Sequence, residues 1–317
     1  MRGIQPSAVV AAATLLAVIF AHSAPAQTPP VEAAARDAAS AETTVATTMS
    51  ATDRMLVPVT IGGAGPYSFI IDTAAERSVI ARDLARQLGL APAGSARLLS
   101  MTSSRDTGMV SMPGVSFMQG ATRTLQAFAL DGQNLGASGI LGIDALQGQR
   151  VVLDFEAGEM RVGPAPRGFE RFGPNDIIVR GRSRFGQLVL IDSSAEGVPV
   201  DVIVDSGLQV SVGNESLRRL LTSRRNQFAQ VALVSITGER FSADYTRVDN
   251  LRIGGVQITG MPVAFANPHF FTRMQLTRRP ALMLGMDALQ MFRRVAVDFP
   301  NRRAHFVLPE APARTPG

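Results

Sequence analysis

The sequence predicts an all-β protein made of two similar lobes, each with its own core. Three observations predict it. First, Phe69-Ile70-Ile71-Asp72-Thr73-Ala74 recurs as Val202-Ile203-Val204-Asp205-Ser206-Gly207, an offset of 205 − 72 = 133 that persists through Ser78-Val79 and Ser211-Val212 to Leu84 and Leu217. Second, Ile140-Leu141-Gly142-Ile143-Asp144-Ala145-Leu146-Gln147 recurs as Met283-Leu284-Gly285-Met286-Asp287-Ala288-Leu289-Gln290, at an offset of 285 − 142 = 143. The ten extra residues of the second half fall between the two elements, as a loop insertion would. Third, the body of the chain is a series of short apolar runs broken by glycine and serine turns, the pattern of strands. Two copies are too few for a solenoid, so the tandem reads as two lobes facing one another.

The elements follow in order. Arg2 precedes an apolar run from Ala8 to Ala21, and Ala24-Pro25-Ala26 has the small-residue spacing of a signal-peptidase site, so residues 1–26 are expected to direct export and be removed. The alternative is a retained anchor, against which the run falls short of the roughly 20 residues of a spanning helix. Export implies a periplasmic or secreted protein with no stable membrane partner. Residues 27–50, rich in Ala, Thr, Pro and Glu, read as a flexible linker.

The first lobe is expected over 51–168, with a hairpin of Leu56–Ile61 and Tyr67–Ile71 around Gly62-Gly63-Ala64-Gly65 that delivers Asp72 at its end. The second lobe, over 176–310, repeats this with Leu188–Ile191 and Val198–Val204 and delivers Asp205, and 311–317 form a tail. Glu170 to Asn175 mark the boundary between the lobes. Helical segments are expected at Arg82–Leu88 and Glu215–Leu221, after each Asp turn. Asp144 with Gln147, and Asp287 with Gln290, have capping-box spacing and read as helix caps. Each half closes with a hairpin, Val151–Phe155 with Met160–Val162 and Val295–Phe299 with His305–Leu308. Asp154 and Asp298 read as carboxylates capping those turns.

Composition narrows the chemistry. There is no cysteine among 317 residues, which excludes disulfides, thiolate metal sites and a cysteine nucleophile. All 31 basic residues are arginine and the net charge is +5; pairs such as Arg218-Arg219 and Arg224-Arg225 read as a solvated helix face rather than a nucleic-acid site. Beyond residue 26 the only histidines are His269, expected in a loop, and His305, expected in a strand. Without His-x-x-x-His spacing there is no zinc-hydrolase motif, and without a G-x-S-x-G turn there is no serine-triad motif, so no metal or cofactor is expected. Asp72 and Asp205 remain.

Two carboxylates about 3 Å apart cannot both ionise, so they share one proton and their apparent pKa values split by roughly 3 units. The ionised oxygen can take a proton from water while the protonated partner polarises a substrate carbonyl. Thr73 and Ser206 are placed to hydrogen-bond across the junction of the two turns, and the small residues Ala74 and Gly207 leave backbone N–H groups within reach of the carboxylates.

Apolar-apolar-Asp-Thr/Ser-Gly followed by apolar-Leu-Gly and a short helix resembles the retropepsin family of aspartic proteases, here duplicated in one chain as in pepsin. The resemblance spans roughly Met55–Val162 and Leu188–Leu308. It implies two closed β-barrel lobes, an interlobe cleft, a peptide or protein substrate, and β-hairpin flaps. Candidate flap turns are Thr102-Ser103-Ser104 and Ile236-Thr237-Gly238-Glu239. Two departures stand out. Ala74 occupies the place of a family glycine, where its methyl is expected to crowd the carboxylate or strain the turn, and Leu208 follows Gly207 where a small residue is usual.

The leading functional reading is an aspartic endopeptidase acting from Asp72 and Asp205. Its alternative is a peptide-binding protein on the same scaffold that grips a strand without cutting it. A single-chain pseudo-dimer is expected, with a homodimer pairing its lobes between chains as the other arrangement.

Overall fold

The computed structural model describes residues 13–15, 43–50, 53–118, 121–146, 148–165, 176–223, 227–266 and 269–310. Most of the expected export segment, residues 27–42 of the linker, the boundary at 170–175, Gln147, Arg224-Arg225 and the tail lie outside the described residues. The chain is mostly β, with six short helices among the described residues.

The same local motif appears in each half. In the first, the strand Gly139–Leu141 runs parallel to the end of Ala64–Ile71 and antiparallel to Val79–Ala81. In the second, Ala281–Leu284 runs parallel to Asp201–Val204 and antiparallel to Val212–Gly213. All four residues of Asp201–Val204 are buried, as are the last three of Ala64–Ile71, which is why both sequences read as apolar runs rather than alternating ones. Behind them lie separate apolar cores, one built around Phe69, Phe128 and Leu141, the other around Val202, Leu282 and Phe306.

The first lobe's sheet continues from Val79–Ala81 through Ala121–Leu130 and Ser104–Met118 to Pro92–Leu99, and one further pair sets Thr60 of Met55–Ile61 opposite Ser116. The second lobe's strands run from Ala229–Ser235 through Arg240–Val248 and Met261–Phe265 into the central motif and on to Gln187–Leu190 and Asp176–Arg184, beside a separate four-stranded sheet that includes Leu251–Ile253. Ala13–Leu15 lies along Leu233–Ser235 at one edge.

Several boundaries differ from the sequence reading. Thr43–Ala46, expected as linker, pairs with Glu159–Val162 because Val45 inserts into the first lobe's core; Thr48–Met49 pairs with Met55–Leu56. The closing hairpins also leave their own lobes. Arg150–Asp154 pairs with Arg294–Asp298, so the two hairpins merge into one sheet across the molecule. Asp154 does cap its turn through Ala157 N–H, and Asp298 through Asn301 N–H, but each also meets arginine: Arg294 Nε is 2.7 Å from Asp154 and Arg303 Nε is 3.0 Å from Asp298. His269 begins a helix, His269–Arg273, rather than lying in a loop. His305 is a buried strand residue, as its apolar neighbours suggested, with Nδ1 3.2 Å from Asp176.

Candidate active site

Asp72 and Asp205 stand at the ends of equivalent strands, and each backbone N–H donates to the leucine carbonyl of the neighbouring strand, Leu141 O and Leu284 O, both at 3.0 Å. Glycine is needed next to those leucines. A Cβ on Gly142 would come within 2.7 Å of Ala75 O, and one on Gly285 within 2.9 Å of the Val210 carbonyl carbon. Without side chains there, Ile143 N–H reaches Ala75 O at 2.7 Å and Met286 N–H reaches Leu208 O at 2.8 Å, so each short helix begins against the loop that follows its Asp.

Asp144 and Asp287 belong to this support. Each lies within the first turn of its helix rather than at the N-cap, where the second helix has Gly285. Asp144 accepts from Ser78 N–H and, at 2.7 Å, from Ser78 Oγ; Asp287 accepts from Ser211 N–H and, at 2.7 Å, from Ser211 Oγ. Those serine hydroxyls in turn accept from Gly142 N–H at 3.1 Å and Gly285 N–H at 2.9 Å. The capping-box reading therefore gives way to a clamp between helix, Leu-Gly strand and Asp loop. The recurrence of Ser78 as Ser211 was its sequence signal.

The two turns interlock. Thr73 N–H donates to Ser206 Oγ and Ser206 N–H to Thr73 Oγ1, each at 3.2 Å. Thr73 Oγ1 donates to Val204 O at 2.9 Å and Ser206 Oγ to Ile71 O at 2.8 Å, so each hydroxyl bonds to the opposite lobe's strand. This is the crossing that the sequence predicts. It brings Asp72 and Asp205 together within one chain, both about 1% exposed.

Asp72 Oδ1 accepts from Ala74 N–H at 2.9 Å and Ala75 N–H at 2.7 Å, while Asp205 Oδ1 accepts from Gly207 N–H at 2.9 Å. A Cβ on Gly207 would lie 2.3 Å from Asp72 Oδ2, so glycine at that place is a requirement of the pair's packing. Ala74 imposes no comparable strain. Its φ is not in the left-handed region, and it is buried in an apolar cluster with Val189, Ile203 and Leu208 of the second lobe. The crowding expected at this position is absent from the backbone.

Burial raises the pKa of Asp72 to about 6, against the lowering influence of the Ala74 and Ala75 N–H groups and the Arg54 charge. Burial and then the neighbouring Asp72 charge hold Asp205 well above the ordinary carboxylate range. Two carboxyl groups buried side by side in this way are poised to retain a proton between them.

The expected flap turns meet each other. Thr102 Oγ1 donates to Glu239 of the second lobe, and Gly238 packs on Asn134, where a Cβ would be 2.8 Å from its amide. Met101 joins the second lobe's apolar cluster beside Ala74, and Ile236 enters the first lobe's core, so each hairpin tip reaches into the opposite half. Ser103 folds back on Ser100, whose Oγ accepts from Ser103 N–H at 2.9 Å; Ser104 opens the returning strand, and Thr237 Oγ1 lies 2.7 Å from Ser235 Oγ. A polar cavity of about 450 Å³ lies beside the tips, lined by Arg82, Arg105, Asp131, Asn134 and Thr237; Asp72 and Asp205 do not line it.

A family model described as aspartyl protease matches residues 57–145 and again 191–288, together more than half of the chain. Each match contains one Asp turn and one Leu-Gly strand. No curated protein matches the chain.

Proposed function

Because the chain belongs to the aspartyl protease family, we propose that it is an endopeptidase in which Asp72 and Asp205 together activate water for attack on a peptide bond. The observation that carries this reading is the pair itself: two carboxyl groups held together by reciprocal Thr73 and Ser206 hydrogen bonds, both with raised proton affinity.

One carboxylate takes a proton from water as the oxygen adds to the peptide carbonyl carbon, while the protonated partner hydrogen-bonds the carbonyl oxygen as it becomes negative. The resulting tetrahedral species collapses when a dyad proton passes to the peptide nitrogen, the C–N bond breaks, and acid and amine products leave. No metal or covalent adduct enters the scheme. Thr73 and Ser206 orient the carboxyls, Ala74 and Gly207 present N–H groups to them, and the Thr102–Ser104 and Thr237–Gly238 turns act as flaps over an extended peptide. The two lobes serve as barrel-like halves of this cleft, and a single chain supplies both carboxylates.

We further read the protein as exported, on the strength of Ala8 to Ala21 followed by Ala24-Pro25-Ala26. N-terminal sequencing from the envelope fraction should begin near Gln27, whereas an intact Met1 in the membrane would replace export with anchoring. The enzymatic reading is tested by incubating a diverse peptide pool with the protein across pH 3–7, with Asp205→Asn as control. Cleavage lost in the variant supports it. Equal peptide binding by both proteins with cleavage by neither supports the binding alternative.

A further inference from the structure

The polar cavity beside the hairpin tips has no role in the chemistry of the dyad. Its volume is about 450 Å³, and it lies between the strand Ser104–Met118, the end of Ala121–Leu130, and the second lobe's tip at Ile236 and Thr237. The strand pairings explain its walls. Ala81 pairs with Leu130 in parallel, so Arg82 and Asp131 leave the ends of neighbouring strands together, and both line the cavity. Met109 pairs with Phe128, and two residues outward from that pair Thr107 and Leu130 line it as well. Residues two apart on a strand share a face, which puts Arg105 on the same side as Thr107. Gly238 of the second lobe is pressed against Asn134, where a Cβ would come within 2.8 Å of the amide, so the second hairpin is seated on the first lobe at this wall.

The uncommitted groups of this cavity are mainly donors. Thr107 is only 9% exposed, and its Oγ1 is buried with no hydrogen-bond partner among the described residues. Arg105 is exposed and has no ion-pair partner among the described residues, while Arg82 gives one N–H to Ala129 O at 3.3 Å and keeps the rest. The acids are already engaged. Asp106 lies 3.1 Å from Arg97 Nε, and Asp131 accepts from Gln133 N–H at 3.1 Å as the cap of the short helix Gly132–Leu135. Two guanidinium groups, a hydroxyl and the Asn134 amide therefore converge on one polar space. A carboxylate suits such a set, because the guanidinium fork matches its two oxygens and the hydroxyl can donate to either. An apolar side chain would leave Thr107 unsatisfied, and an ammonium would face two arginines.

We propose that this cavity is a subsite for a carboxylate of the peptide substrate, from an acidic side chain or the chain's C-terminus, held by Arg82 and Arg105 together with Thr107. The assignment rests on the protease reading and names its substrate class: the dyad cuts, and the cavity selects peptides that carry an acid to one side of the bond. Because Ile236 and Thr237 belong to the wall, the grip is complete only when the second hairpin is closed on the first lobe.

The test reads binding apart from cutting. A series of neutral extended peptides carries a single Glu or Gln at each position in turn, with free or amidated C-termini, and is titrated calorimetrically into the Asp205→Asn protein. At pH 6.5 either one Glu position or the free terminus should bind about tenfold tighter than its Gln or amide counterpart, the lower end of what hydrogen bonds to a charged group contribute. A Glu position assigns the side chain and the free end assigns the terminus. The preference should vanish below about pH 4, where the peptide's carboxylate takes up its proton. Arg82→Gln with Arg105→Gln should abolish it and leave affinity for the Gln peptide unchanged, whereas Arg86→Gln, on the same helix but outside the lining, should leave it intact. Thr107→Val should reduce it about threefold and Thr107→Ser should retain it. Peptides that bind alike at every position and terminus, or a preference that survives the double arginine change, would overturn the proposal. So would binding of acetate or phosphate alone without any preference among the peptides, which would mark a site for free anions. Wild type that cuts peptides with no acidic preference leaves the protease reading standing without this subsite, and the preference without cutting does the reverse.

Discussion

Replacing Asp72 with asparagine should stabilise the protein at neutral pH and leave it unchanged in acid. The sign follows from the raised pKa. Asp72 titrates near 6 in the folded chain against 3.8 for the ordinary group, so the folded state holds its proton more tightly and stability falls as pH rises through that window. A shift of about 2 units corresponds to about 3 kcal/mol, lost in full above the folded pKa. The asparagine side chain would keep an oxygen for the Ala74 and Ala75 N–H groups and would face Asp205 with an amide instead of a charge. Loss of the anion beside buried Arg54 works in the opposite direction, which makes about 3 kcal/mol an upper value. At 2–4 °C per kcal/mol for a chain of this size, the variant should melt up to roughly 6–12 °C above wild type at pH 7.5. Below pH 4 the two curves should converge. Thermal melts of wild type and Asp72→Asn at half-unit intervals from pH 3.5 to 8 provide the measurement. A difference that does not change with pH, or a variant less stable than wild type at pH 7.5, would refute the claim that burial opposes ionisation of this pair.

Four further outcomes are expected. Gly207→Ala should abolish cleavage, since its methyl would occupy space 2.3 Å from Asp72 Oδ2, whereas Ala74→Gly should leave the rate near wild type and cost about 1 kcal/mol in urea denaturation through added backbone freedom. Arg294→Ala should destabilise by about 3 kcal/mol, because Asp154, whose side chain is 3% exposed, would lose its closest cation at the join between the lobes; a urea midpoint equal to wild type would assign the pair no such role. Thr102→Val should speed amide hydrogen exchange at 100–103 and 236–239 together, because the hydroxyl ties one hairpin tip to Glu239 of the other, and exchange that rises on one side alone would show that the tips open separately.

How much of this could be read from the sequence depends on which features repeat. The Asp turns, their preceding strands and the Leu-Gly elements were legible because each occurs twice, and buried strands of this kind leave unbroken apolar runs. The Thr73 and Ser206 crossing followed from their place beside the carboxylates. Asp144 and Asp287 were visible as conspicuous acids but misread, since capping spacing is a local signal and their true partners, Ser78 and Ser211, lie 66 and 76 residues away. The interlobe sheet was hidden for a related reason: Val151–Phe155 and Val295–Phe299 each look complete as half of a local hairpin. Nothing in a hairpin's own sequence says that its outer edge will pair with the other copy. The backbone strain expected of Ala74 is absent because its φ lies outside the left-handed region, whereas glycine is needed at 207 for want of space beside Asp72.

The duplication explains both what is matched in this molecule and what is not. Where the two closing hairpins join, Arg150 stands opposite Asp298 and Asp154 opposite Arg294, so one arginine and one aspartate per copy make an arrangement that is complementary to itself. Such an interface works for identical copies and places no premium on divergence. In the proposed protease the dyad is different, because two identical carboxyls at close range have to adopt unequal protonation states to do acid and base chemistry at once. A two-fold arrangement leaves that choice to fluctuation. A single chain can settle it, since each half mutates independently, and the halves differ at the pair itself, with Ala74 against Gly207 and Ala75 against Leu208. Both differences fall on residues whose backbone N–H groups bond Asp72 or Asp205. Tandem fusion thus allows the site to be asymmetric while the support beneath it, Ser78 with Asp144 and Ser211 with Asp287, remains the same on both sides.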